Sequence, residues 1–268
     1  MYRPAVAVAI LLLLASGWCV LAQQPTVAEA EQALRAAVGF FHDEVSDHRG
    51  YVWRYSGDLA LREGEARTDD RMAIWVQPPG TPAVGLAFLD AYDATRERMF
   101  LDAAMDAAQA LLQGQLLSGG WYYSITFDPA LRGEWMYRVD HPDAGIGPTT
   151  EDDGEGWHAW RRRRNQGNQT LLDDNTTQTA IRFLARLDQA LDFSDQAIHE
   201  AVMYALDSVL MAQYPIGAWS HNYDRFPAHR PDLDLYPVLP ASIPHDWPRP
   251  GPRPTRAVTT STTTSRPT

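Results

Sequence analysis

The chain has 268 residues, with 23 basic side chains against 34 acidic ones and a net charge of −11. Every basic residue is Arg, which fits codon bias in a GC-rich genome, and so acidic a body is a poor partner for nucleic acid. The single cysteine, Cys19, lies in the leader described next, so the remainder offers no disulfide, no zinc–thiolate site and no thiol nucleophile.

In chain order, residues 1–22 read as a secretory signal: Arg3, an apolar run, then Val20-Leu21-Ala22 as a cleavage site before Gln23. The run is shorter than the roughly 20 residues a membrane span needs. Trp18 stands where an acylated lipoprotein cysteine requires a small neighbour. The expected location is therefore secreted or periplasmic, with no membrane attachment after cleavage. Thr26 with Glu29 predicts a capping box opening a helix through Ala30, Leu34, Ala37 and Phe41. Residues 48–82, rich in aromatics, Gly and Pro, predict irregular or short-strand structure. Two helices are expected within 83–112, separated by a polar turn near Arg96. A second pair is expected over Asp174–Leu191 and Ser194–Ala212, with Ile198, Val202, Leu206 and Val209 on one face and Ser194 as N-cap.

Each pair runs into a similar turn, "GQLLSGGW" and "AQYPIGAW". Gln115 matches Gln213, Gly119 matches Gly217 and Trp121 matches Trp219, at a constant spacing of 98 residues. Repeated hairpins at a long period predict an all-α array or incomplete (α/α) toroid with long irregular loops, spanning residues 23–247. Between the pairs, residues 151–170 carry an acidic run and then Arg161 to Arg164, the pattern of a solvated loop. The sequons at Asn168 and Asn175 carry weight only in a eukaryotic host. Residues 248–268, a Pro/Arg/Thr tail whose sole large apolar residue is Val258, predict disorder.

The order "LLQGQLLSGGW", "LDDNTTQTAIRFLARLDQAL", "AQYPIGAW" resembles the catalytic domain of the pectic acid lyases (polysaccharide lyase family 10), over about residues 105 to 245. Its most specific part is "DDNTTQTAIRFL". The resemblance implies an irregular (α/α) toroid and calcium-assisted β-elimination on an acidic polysaccharide, polygalacturonate or another uronate polymer. A divalent cation on the uronate carboxylate withdraws charge while a base, an Arg in that family, removes the C5 proton. It further implies that Asp173, followed by Asp174 and Asn175, supplies oxygen ligands to calcium. The competing reading makes these residues helix caps.

Trp121 and Trp219 are candidate sugar platforms or, equally, buried turn residues. The resemblance also calls for Pro and a basic residue after Gly-Gly-Trp, where this chain has Tyr122-Tyr123-Ser124. Arg132, Arg138 or Arg161 to Arg164 are the candidate replacements, with Arg132 the one carried forward as a substrate contact. His221 and His229 are read as loop residues without a role. The family's second calcium ligand and its Arg base are not legible before the Pro/Arg/Thr tail. The expectation is therefore a truncated lyase-like domain, inactive or weakly active. The alternative is a non-catalytic α-hairpin scaffold that binds glycan or a protein.

Overall fold

The structure, a computed structural model, describes residues 24–65, 67–68, 71–144, 167–213 and 217–224. The expected signal segment, Arg161 to Arg164, His229 and residues 248–268 lie outside the described residues. The chain divides into two compact units, Met1–Ala37 and Val38–Thr268. The described part of the first is the opening of helix α1 (Val27–Phe40). There the expected capping box forms: Glu29 accepts from the Thr26 N–H at 2.8 Å, and Thr26 Oγ1 accepts from the Glu29 N–H at 3.3 Å.

In the second unit a π-helical turn, Phe41–Val45, leads into β1 (Arg54–Tyr55), β2 (Arg62–Glu63), β3 (Arg67–Thr68) and β4 (Ala73–Trp75). Helices α2 (Thr81–Thr95) and α3 (Arg98–Leu112) follow, then β5 (Ser124–Thr126) and the short α4 (Pro129–Arg132). After β6 (Thr170–Leu171) come α5 (Thr176–Ala190), α6 (Gln196–Met211) and β7 (Asn222–Tyr223). Helix α2 opens with Pro82, which costs nothing in a first turn, and stops at Arg96 in the left-handed conformation. The small residues Ala103, Ala104, Ala107 and Ala108 of α3 are buried, which permits close helix packing. Phe88, Phe100, Leu111, Phe183, Leu184, Leu187 and Ile198 complete the core. Asp195, not Ser194, caps α6, its side chain accepting from the Ile198 N–H at 3.1 Å.

The all-α expectation is corrected. Among the described residues, β1–β2–β3 form one antiparallel sheet, β4 pairs with β5, and β6 pairs with β7. These strands are only two or three residues long, too short for alternating hydropathy to register in a sequence. They also belong to the repeat, whose unit is strand, two helices, turn, and a second strand that pairs with the first.

The two turns are built alike. Gln115 Nε2 donates to Gly119 C=O, and Gln213 Nε2 to Gly217 C=O, each at 3.1 Å. The Trp121 indole N–H donates to Leu111 C=O at 2.9 Å, and that of Trp219 to Val209 C=O at 2.8 Å. Both glycines take positive φ, 106° and 83°. A third, shorter turn over Asp47–Tyr51 does comparable work. Thr81 Oγ1 accepts from the Tyr51 N–H and donates to its C=O (2.9 and 3.2 Å), as Thr177 Oγ1 does for Trp121 (3.2 and 3.3 Å). Tyr51 C=O also accepts from Trp75 N–H, and Trp121 C=O from Leu171 N–H.

Two stability outcomes follow from these contacts. A Cβ at Gly119 would strike the Ser208 side chain, and φ there suits glycine. Gly119→Ala should therefore cost about 2–4 kcal/mol in urea unfolding. His42 bonds Asp106 at 2.9 Å and Asp43 at 2.7 Å. The Asp106 hydrogen bond, helped by Asp43 and opposed by burial, raises its pKa. A raised folded pKa contributes stability below the ordinary value of about 6.5 and loses it as pH climbs through the folded value. The melting temperature should thus fall as pH rises above about 6.5, and His42→Gln should flatten that slope.

Candidate functional site

The residue two places after each turn's aromatic side chain reaches toward the segment that follows β4 or β6. These residues are Trp53, Tyr123 and His221. The Trp53 indole N–H donates to Gln77 C=O at 2.8 Å. Tyr123 C=O accepts from the N–H groups of Val76 and Gln77 at 2.7 and 3.2 Å, while its hydroxyl donates to Asp173 Oδ2 at 2.8 Å. His221 C=O accepts from Leu172 N–H at 2.9 Å, and its Nε2 lies 2.7 Å from Asp173 Oδ1. Gln77 Nε2 donates to Asp174 Oδ2 at 2.8 Å, and Gln77 Oε1 accepts from the Trp75 indole N–H at 3.1 Å. One connected set thus runs from Trp53 and Trp75 through Gln77 to Asp174 and Asp173, and on to Tyr123 and His221.

The backbone beneath the two carboxylates is unusual. Asp174 and Asn175 are consecutive residues at φ 48° and 62°, left-handed values that non-glycine residues seldom adopt. Asp173 Oδ1 accepts from the Asp174 N–H at 2.9 Å, and Gln178 Nε2 holds Leu172 C=O at 2.8 Å. Helix α5 begins after them with Asn175 as N-cap and no side-chain cap hydrogen bond. Helix capping therefore does not account for the pair.

Asp173 is partly enclosed, its side chain 27% exposed, whereas that of His221 is 53% exposed. Asp174 and Asn175 are exposed. An ionised carboxylate offers about four lone-pair positions, and on Asp173 three meet Tyr123, His221 and the Asp174 N–H. Burial, reinforced by the hydrogen bond to Asp173, pushes the Tyr123 phenol above its ordinary pKa. At neutral pH Tyr123 is a donor that orients the carboxylate, not a proton acceptor.

The other sequence-predicted residues are placed apart from this set. Trp121 is fully buried and serves its turn; Trp219 is half-buried in the equivalent role. Arg132 pairs with Asp140 at 2.8 Å, donates to Thr126 and Gln113 carbonyls at 3.2 and 2.9 Å, and lies 4.6 Å from the Tyr137 ring centre. Arg138 sits 4.4 Å from the Tyr204 ring centre and donates to Gln115 Oε1 at 3.3 Å. Both brace the segment after β5 against its surroundings. His221, read from sequence as a loop residue without a role, touches Asp173. Trp53, Trp75, Gln77 and Tyr123 were not predicted; the signal for them is the third copy of the turn, which puts Trp53 in register with Tyr123 and His221.

No protein-family model, no curated protein and no solved structure matches the chain. Removing the orienting hydroxyl with Tyr123→Phe should cost about 1 kcal/mol, a fall of a few degrees in melting temperature. Circular dichroism melts of the two proteins check it.

Proposed function

We propose that this chain is a secreted or periplasmic pectate-lyase-like protein. It engages an acidic polysaccharide, polygalacturonate or another uronate polymer, through a calcium ion at Asp173 and Asp174. It has little or no eliminating activity of its own. The observation that carries this reading is the placement of the two carboxylates: adjacent, not used as helix caps, and oriented by Tyr123, His221 and Gln77.

The donor set suits a hard cation in part. Calcium takes six to eight oxygens, and among the described residues no group of three acidic or histidine side chains is placed to enclose a metal. The two aspartates would supply the protein's share, with the polymer's carboxylates and water completing the shell. Bound there, calcium would neutralise a uronate carboxylate and ease loss of the adjacent proton. Elimination also needs a proton acceptor. The Arg base that the resemblance calls for is not legible in the sequence, and Arg132 and Arg138, the described candidates for the substrate contact, are held by Asp140, Gln115 and backbone carbonyls. Among the described residues, no helix is long and apolar enough to cross a membrane.

A second reading, a glycan-binding scaffold without metal, is favoured by the three donors that already meet Asp173. Calorimetric titration with calcium in the presence of oligogalacturonate separates the two. Calcium should bind, and Asp173→Asn and Asp174→Asn should each weaken it about tenfold, near 1.4 kcal/mol. Absorbance of unsaturated products on polygalacturonate should stay at the blank. A steady calcium-dependent rise would overturn the inactivity, and absence of calcium binding would favour the scaffold.

A further inference from the structure

We infer that Trp53 and Trp75, held in place by the buried Gln77, form a binding subsite for one pyranose ring of a polysaccharide, alongside the Asp173–Asp174 pair. The inference deepens the proposed function by naming where the glycan lies, yet it needs no metal.

Both indoles are anchored by their N–H groups to a single residue. Trp53 donates to the backbone carbonyl of Gln77 and Trp75 to its side-chain oxygen, at 2.8 and 3.1 Å. The rings meet edge to face, with centroids 6.1 Å apart and planes at 71°. Trp53 is further fixed by its own N–H to Glu63 C=O at 2.9 Å. Trp75 packs on Gly64, where any Cβ would run into the indole. These constraints set both rings before any ligand arrives, which lowers the ordering cost of binding.

Trp53 and Trp75 both keep partial exposure, as a contact with a ligand requires. The remaining amide hydrogen bond of Gln77 ends on Asp174, which ties the aromatic surface to the carboxylates. Anchored aromatic faces bordered by acids suit a sugar ring. Its C–H face stacks on the indole while its hydroxyls donate to carboxylate oxygens.

The test uses the full chain and two probes, an oligogalacturonate with calcium and its fully methyl-esterified, neutral counterpart. Binding is followed by tryptophan fluorescence and calorimetry. Trp53→Ala should weaken both probes about tenfold. Trp53→Phe, which keeps a ring, should retain most of the affinity and controls for folding. Asp174→Asn should weaken the calcium-dependent probe by the larger factor. Binding of the neutral probe alone, sensitive to Trp53, would uphold the subsite and defeat the uronate–calcium reading. Wild-type affinity for both probes in Trp53→Ala, or no binding of either probe by the wild-type chain, would overturn the subsite.

Discussion

One hydroxyl at the head of each long hairpin holds the repeat together. Thr81 and Thr177 are buried, and each accepts from the N–H and donates to the C=O of one aromatic residue in the turn before it. A buried backbone amide left without partners is costly. Once these threonines satisfy Tyr51 and Trp121, the turn can be buried against the following helix. The next strand is then positioned by the same aromatic residue, through Trp75 N–H and Leu171 N–H. Gly120 completes the fit, since a Cβ there would collide with Thr170 and Thr177. Sequence thus becomes local turn, turn becomes strand placement, and strand placement becomes the site.

That order explains why the candidate residues come from distant parts of the chain. The position two after each turn aromatic leaves the turn toward the segment ahead of a helix. In the first unit of the repeat it meets Gln77, and in the second it meets Asp173. The two strand–helix–helix–strand repeats, both within Val38–Thr268, also touch through Arg186, which pairs with Asp90 and Asp93 at 2.8 and 2.9 Å, and through Gln77 to Asp174. The carboxylate pair therefore sits where one unit's side chains cross to the other, on a backbone in sparsely populated conformations. Such strain persists where surrounding contacts over-determine it, as Gln77, Gln178 and Tyr123 do here.

Much of this was legible in the sequence, and the remainder was hidden for identifiable reasons. The turns at 115–121 and 213–219 could be read because Gln, Gly and Trp each perform a separate physical task there. Their sister at 47–51 could not: it uses His48 and Arg49 at positive φ where the others use glycine, and Tyr51 in place of Trp. The strands escaped notice through brevity, which made an all-helical chain the natural expectation. Asp173 and Asp174 stood out as more acid than a cap requires. Their partners did not, since Tyr123 lies 50 residues away from Asp173 and no local pattern connects them. Arg132 drew attention as a cation near a Gly-Gly-Trp motif, while its guanidinium serves carbonyl oxygens and Asp140.

The sequon at Asn168 acquires a different meaning once the packing around it is known. Asn168 is buried with its amide oxygen on the Ser118 N–H at 2.9 Å, and Thr170 is sealed between Ser118 Oγ and the Gly120 N–H. The motif's Asn and Thr are therefore struts that tie the 118–120 turn to the β6 segment, a packing task for which the sequence pattern gives no hint.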